Sequence, residues 1–312
     1  MNTLPIVDDP VAEPQTVQGR PRSTFRKRTR RSASRPALGW QIITIALLAM
    51  LASYFLLPVY WLAVATTKSP GDLTDSFGLW FKNPEPLTAV RNVLTYNDGI
   101  YLRWTFNSIL YAGLGAAVAT LLAAMAGYAL AKYEFRGRNL VFNLILAGVL
   151  IPSTMLTVPL FLLFSKVGLA DTYLAVLIPS VVSPFGVYLT RIYAESAIPN
   201  ELIEAARIDG ASEVRIFFTL SLRIMTPALV TVFLFQFVGV WNNFFLPLIM
   251  LTDENLHPVT LGIYNWTADY RHPEIAHLAI AGSFLSVVPL MIAIVVMQRF
   301  WRGGLTQGSV KG

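Results

Sequence analysis

The 312-residue chain is 54% hydrophobic, only 13% charged and formally +6, with a mean hydropathy of +0.55. Soluble domains carry about 25% charged residues, so composition excludes an ordinary soluble globular protein. The chain has no cysteine, which also excludes disulfides, thiolate metal sites and cysteine nucleophiles.

Residues 1–37 are Pro-rich and mildly acidic, then basic, with Arg20, Arg22, Arg26, Lys27, Arg28, Arg30, Arg31 and Arg35 close together. Such a cluster suits nucleic acid or anionic lipid. Directly before a membrane span it reads instead as a cytoplasmic retention signal, and no nucleic-acid partner is expected. The apolar run from Trp40 to Thr66 exceeds the 7–15 residues of a signal-peptide core, so it predicts an uncleaved anchor. The segment from Lys68 to Arg103 is polar, Pro-rich and aromatic, too long for a tight turn.

Further apolar runs are long enough for the ~20 residues that cross ~30 Å of hydrocarbon. They place spans at 104–131, 140–164, 174–190, 227–251 and 276–298. The expected fold is all-α, a polytopic membrane protein with six transmembrane helices. Its expected parts are a tail (1–37), a first span with an external segment (38–103), a core (104–298) holding a charged loop (191–226), and a tail (299–312). Six spans put both termini on one side. Eighteen of the 24 lysines and arginines fall on that side and six on the other. That asymmetry predicts cytoplasmic termini and a cytoplasmic 191–226 loop.

The second span is crowded with small residues, among them Ala112, Gly115, Ala116, Ala119, Ala123 and Gly127. Small side chains let membrane helices approach closely, so this span is expected inside the bundle. Pro152 and Pro159 interrupt the third span, and Pro179 and Pro184 the fourth; kinks and hinges for alternating access are both open readings.

The stretch from Pro199 to Phe218 is charged and capable of helix. Proline suits a first turn and Asn200 an N-cap. Glu201 and Glu204 follow where the helix dipole favours negative charge. Gly210 is placed to end the helix in a left-handed conformation. Ser212 can cap a second helix running through Arg215 and Ile216 towards Thr226-Pro227. By these features alone the stretch is either a solvated connection or a docking surface.

Glu204-Ala205-Ala206, three residues, Gly210 and then Ile216 resembles the EAA loop of ATP-binding-cassette importer permeases. The string from Glu204 to Ser212 is similar to their sugar-importer, maltose-type branch. The resemblance covers roughly residues 40–312. Leu222 is followed by Arg223 where the family usually has a Leu-Pro pair, which leaves the docking helix untouched. The resemblance implies an ABC importer permease fold and a coupling helix, with Glu201, Glu204, Ala205, Ala206, Asp209 and Gly210 at an ATPase cleft. It also implies the partners: a dimer of ABC ATPase subunits, a second homologous permease and an extracytoplasmic sugar-binding protein, all set on a lipid bilayer.

The fifth span holds Gln236, Trp241, Asn242 and Asn243 ahead of Pro247. Buried amides need partners, so they face other helices or a water-filled path. The Trp-Asn pair followed by Pro-Leu is similar to the sugar-permease pattern, which makes these four candidate substrate-path residues. The loop 252–275 carries His257 and His272, with His277 close behind. Their spacings match no helical ligand pair, so a solvated loop rather than a metal site is expected. By the resemblance, this loop reaches the binding protein. The ending from Gln298 to Gly312 resembles the terminal sequence of maltose-type permeases. It implies that Gly304, Leu305, Thr306 and Gly308 contact the ATPase dimer, on an otherwise flexible, basic end.

No G-x-x-x-x-G-K-[ST] phosphate loop occurs, and no Ser-His-Asp arrangement stands out. The chain is therefore expected to be no enzyme and to hold no cofactor, with ATP and Mg²⁺ on partner ATPase subunits. A proton-coupled transporter usually carries Asp, Glu, Lys or Arg inside the membrane, and the six expected spans contain none. An ion-coupled secondary transporter, or an ABC permease for a non-sugar solute, is the alternative. A passive channel leaves the charged 191–226 helices unexplained.

Overall fold

The computed structural model describes residues 38–268 and 273–307. The basic cluster of the N-terminal tail, Asp269, Arg271, His272 and Gly308 lie outside them. The described residues form helices α1 (Leu38–Thr66), α2 (Pro70–Asp75), α3 (Pro86–Thr95), α4 (Ile100–Lys132), α5 (Arg138–Leu150), α6 (Ser153–Lys166) and α7 (Tyr173–Ser180). There follow α8 (Pro184–Ala197), α9 (Asn200–Ile208), α10 (Glu213–Ile216), α11 (Leu222–Trp241), α12 (Phe245–Met250), α13 (Val259–Ala268) and α14 (Pro273–Gln307). Among the described residues, five helical segments are long and apolar enough to cross a membrane, or six when the bent pair α5–α6 counts as one. The protein is thus an all-helical, multi-pass membrane protein.

The chain divides into two compact units at Ala52 and Ser53. The described part of the first, the opening half of α1, is exposed at nearly every residue. The second unit is organised around α4. Its small residues Ala112, Gly115, Ala116, Ala119, Ala123, Ala124 and Gly127 are all buried. At Gly127 the backbones of α4 and α8 nearly touch: a Cβ there would overlap Thr190 Oγ1 and come within 2.7 Å of the Arg191 nitrogen. Thr190 uses the closeness, its hydroxyl donating to the Ala123 carbonyl at 2.7 Å. Small residues are what permit such contacts between membrane helices.

Three spans are broken, and each break has a chemical cause. The α5–α6 pair bends by 100° around Ile151-Pro152. The α7–α8 break spans residues 181–183, where Ser183 Oγ accepts from the Gly186 N–H as a cap for α8. The fifth span differs from its expected 227–251. An apolar helix begins at Glu213, passes through a π-turn at Phe217–Ser221, and ends at Trp241. Pro227 lies inside it rather than at its start. The chain leaves the helix at Asn242 because Asn243 Oδ1 takes the Leu246 N–H, opening the separate helix α12. The helix capped by Ser212 therefore continues into the span instead of stopping at Thr226-Pro227.

Two connections also carry more structure than a solvated loop. Residues 68–103 contain α2 and α3, and residues 252–275 contain α13. In α13, Val259, Leu261, Gly262 and Trp266 are buried in the bundle. The C-terminal segment expected to be flexible is helical as far as Gln307, with Gly304, Leu305 and Thr306 on the last turn of α14.

Candidate functional site

Helix α9 sits at one end of the bundle, and its own sequence sets both of its boundaries. Pro199, not Asn200, occupies the N-cap position and makes no side-chain cap. Asn200 is the first helical residue, and its side-chain oxygen accepts from Lys132 Nζ at 3.0 Å. At the other end Gly210 adopts φ +78°, as expected for a left-handed terminator. The Gly210 N–H reaches the Arg207 carbonyl and the Ala211 N–H the Ala206 carbonyl, each at 3.0 Å. This is the Schellman pair of bonds, which closes a helix with its last carbonyls satisfied.

Only Ile203 of α9 is buried, at 4% exposure. It belongs to a core formed by Ala124, Tyr128, Ala194, Ile198, Ile216, Phe217 and Met225, drawn from α4, α8 and α10 to α11. The opposite face is open. Glu201, Leu202, Glu204, Ala205 and Asp209 are exposed, Ala206 is half-buried, and Ile208 is 86% exposed. Val214 and Phe218 extend the exposed apolar surface beyond Gly210. A charged helix with an uncovered isoleucine and a low alanine surface has the form of a contact face.

Polar bonds that the sequence reading missed tie this face to the bundle. Lys132 Nζ donates to the Ile198 carbonyl at 2.6 Å. Arg207 Nε pairs with Glu213 Oε1 at 2.6 Å, and the Tyr133 hydroxyl donates to Glu213 Oε2 at 2.6 Å. Burial, then the bond to Glu213, pushes the Tyr133 phenol above its ordinary pKa. The end of α4 thereby grips both sides of the turn at Gly210. A lysine and a tyrosine at the end of a span read from sequence as interfacial anchors, and no spacing links residue 132 to residues 198–200.

At the opposite end, α4 holds the segment after α12 through that segment's backbone. Trp104 Nε1 donates to the Glu254 carbonyl at 2.9 Å, and Asn107 Nδ2 to the carbonyls of Asn255 and His257. The Tyr111 hydroxyl donates to the Leu256 carbonyl. Ser108 Oγ accepts the Val259 N–H. Asp171 adds a clamp: its carboxylate accepts from the Thr252 N–H and hydroxyl and from the Asp253 N–H. Those bonds, the Asp253 amide first, hold its pKa below the usual carboxylate value. His257 is buried here, and desolvation lowers its imidazole pKa against the opposing pull of Asp253 and Asp171. His277 makes a separate contact, Nε2 lying 2.6 Å from the Lys68 carbonyl.

The four candidate path residues do not form one cluster. Gln236 Nε2 donates to the Ser180 carbonyl at 2.7 Å, across the α7–α8 break. Trp241 is 3% exposed and stacked on Phe237, with ring centroids 5.9 Å apart. Asn242 is exposed, its amide returned to the Val238 carbonyl at 2.9 Å. Asn243 is half-buried and joins α12 to α13: its side chain caps Leu246 and its carbonyl accepts from Thr260 Oγ1 at 3.2 Å.

The family model described as "Binding-protein-dependent transport system inner membrane component" matches residues 115–303. The arabinooligosaccharides transport system permease protein of Halalkalibacterium halodurans is 34% identical over 278 residues, covering 89% of this chain and 98% of that protein. The protein of the same description from Bacillus subtilis is 34% identical over 266 residues, covering 84% and 93%. The diacetylchitobiose uptake system permease protein of Streptomyces coelicolor is 29% identical over 271 residues, covering 86% and 88%. In fold, the chain is similar to one in the crystal structure of a bacterial ABC transporter involved in alginate import. The TM-score is 0.74 at 24% identity, over 84% of this chain and 96% of that one. These relatives are transport permeases and not enzymes. With its bundle of spans and a family match over more than half its length, this chain belongs to the binding-protein-dependent transport system inner membrane component family.

Proposed function

We propose that this chain is the permease subunit of an ATP-driven importer for a carbohydrate. The observation that carries the reading is α9: a short helix ended by Gly210, gripped from behind by Lys132 and Tyr133 and seated in the core through its own Ile203, with Glu204, Ala205 and Ile208 uncovered. A partner ATPase closing on that face moves α9, and the grip passes the motion to α4, α8 and α11. The excess of lysine and arginine on this side supports a cytoplasmic position for α9 and both termini. Carbohydrate as the cargo is supported by relatives described as permeases for arabinooligosaccharides, diacetylchitobiose and lactose.

A second permease completes the pathway, and an external sugar-binding protein delivers the solute to the end built on Asp171 and residues 251–258. A related alginate transporter has been seen with a pentasaccharide-bound periplasmic protein. Within the pathway, Asn242 and the free oxygen of Gln236 offer polar groups to sugar hydroxyls, while Trp241 supports the wall from behind. Gly304, Leu305, Thr306 and Gly308 extend the ATPase contact. Mild-detergent purification of the tagged chain, with mass spectrometry of what accompanies it, tests the reading. The expected companions are an ABC ATPase and a second polytopic permease, with the ATPase lost on Glu204→Lys. A chain that purifies alone and transports sugar with only an ion gradient overturns it.

A further inference from the structure

Two arginines near the α9 end of the bundle have no acidic partner. Arg191, on α8, places its guanidinium carbon 3.7 Å from the centre of the Phe142 ring on α5. Among the described residues its side chain makes no hydrogen bond, and its Nε is enclosed without an acceptor. Arg138 lies one helical turn before Phe142 on the same face of α5. Among the described residues its one side-chain hydrogen bond, from Nη2 to the Ala131 carbonyl, is a long 3.4 Å, and its Nε is likewise enclosed. Both belong to one small region, because the Arg191 backbone abuts Gly127 and Arg138 reaches Ala131, one turn apart on α4. The neighbouring carboxylate is Glu195, one turn beyond Arg191, and its field acts on Lys132. Neither arginine is paired with a carboxylate within 4.0 Å among the described residues.

A third donor completes the group. Tyr188, one turn deeper along α8, stacks its ring on Phe142 at 6.3 Å and 17°. Its hydroxyl makes no hydrogen bond among the described residues. Around one phenylalanine there are thus two uncompensated guanidinium groups and, a turn deeper, a free phenol. Beside them Val141 and Leu146 of α5 and Ile192 of α8 are exposed apolar side chains. The depth is that of the membrane boundary: α4 ends at Lys132, and α5 from Leu140 onward is an apolar helix with no buried residue.

We propose that this cleft binds an anionic phospholipid of the leaflet on the α9 side. The Nη groups of Arg138 and Arg191 hold the phosphate, the Tyr188 hydroxyl donates to a glycerol-ester carbonyl, and the acyl chains lie on the exposed apolar side chains. The chemistry fits in order of depth. Guanidinium pairs match phosphate geometry, half-buried charge requires a counter-charge, and the phenol sits where a lipid changes from headgroup to ester. The site goes beyond the transport reading and does not depend on which solute is carried.

Native mass spectrometry of the delipidated full chain tests this, with phosphatidylglycerol, phosphatidylcholine and inorganic phosphate as separate probes. Phosphatidylglycerol is expected to bind most tightly, and each of Arg138→Gln and Arg191→Gln to weaken it about fivefold. Tyr188→Phe keeps every charge and is expected to weaken the ester lipid about three- to tenfold. The same variant is expected to leave an ether-linked phosphatidylglycerol unaffected. Unchanged phosphatidylglycerol binding in the Arg138→Gln/Arg191→Gln double variant overturns the proposal. So does full displacement of the lipid by equimolar inorganic phosphate, which marks a simple anion site, or equal weakening of ester and ether lipids by Tyr188→Phe.

Discussion

Gln236 Nε2 donates to the carbonyl of Ser180 at 2.7 Å, and the residue four positions after Ser180 is Pro184. Proline has no N–H, so the usual helical donor for that carbonyl does not exist. The glutamine therefore closes the break between α7 and α8 from a different helix, which fixes where the fourth span can bend. Removing it leaves a carbonyl unsatisfied in the bundle. Gln236→Leu is expected to destabilise the protein by about 1–3 kcal/mol, and Gln236→Glu by at least as much at a pH where its carboxyl is ionised, since the carboxylate loses the donor while keeping the size. Thermal unfolding in a single detergent reads both; an unchanged midpoint for Gln236→Leu contradicts the assignment.

The face of α9 separates stability from coupling. Ile208 is 86% exposed and touches no core, so Ile208→Asp is expected to change the stability of the isolated chain by no more than about 0.5 kcal/mol. The same variant is expected to abolish recovery of the ATPase. Glu204→Lys behaves alike: it inserts normally and fails to support uptake. Normal uptake by a stably expressed Glu204→Lys variant counts heavily against the coupling role.

Two glycines of α4 make a matched pair. A Cβ on Gly127 overlaps Thr190, whereas a Cβ on Gly113 meets nothing within 4 Å. Gly127→Ala is expected to cost about 1–3 kcal/mol through forced separation of α4 and α8, and Gly113→Ala to be neutral or slightly stabilising. Denaturation midpoints of the two variants decide it, and equal values refute the close-approach reading.

The segment held by Trp104, Asn107 and Asp171 has a pH dependence with a definite sign. His257 is buried with its pKa lowered, so folding favours the neutral ring. Its stabilising effect is full above the unfolded pKa of about 6.5 and is lost as pH falls through the lower folded value. Amide exchange across residues 252–259, corrected for intrinsic rate, is expected to rise on acidification below about pH 6.5. His257→Gln, which cannot titrate, is expected to flatten that profile; an identical profile in the variant removes His257 as the cause.

Several features are decided by residues that need no distant neighbour. Long uncharged runs compel membrane helices because lipid offers backbone groups no other partners. Gly210 ends α9 as the sequence predicts, since the left-handed turn is a local property of glycine and its closing bonds reach only three and five residues back. The face bearing Glu204, Ala205 and Ile208 follows in the same way from local periodicity, and Pro152 and Pro184 mark their breaks directly.

Contacts between distant residues were decided only in three dimensions. The fifth span ends at Trp241, where Asn243 caps α12 and Thr260 binds its carbonyl, a choice that hydropathy alone does not contain. Pro199 holds the N-cap position expected of Asn200, whose side-chain oxygen instead accepts from Lys132, sixty-eight positions earlier. Residues 252–275 look solvated in sequence, yet the carbonyls of Glu254, Asn255 and His257 are satisfied by side chains of α4 from about 150 residues away. Local sequence fixes which groups need partners; only the packed bundle determines which distant side chains arrive to supply them.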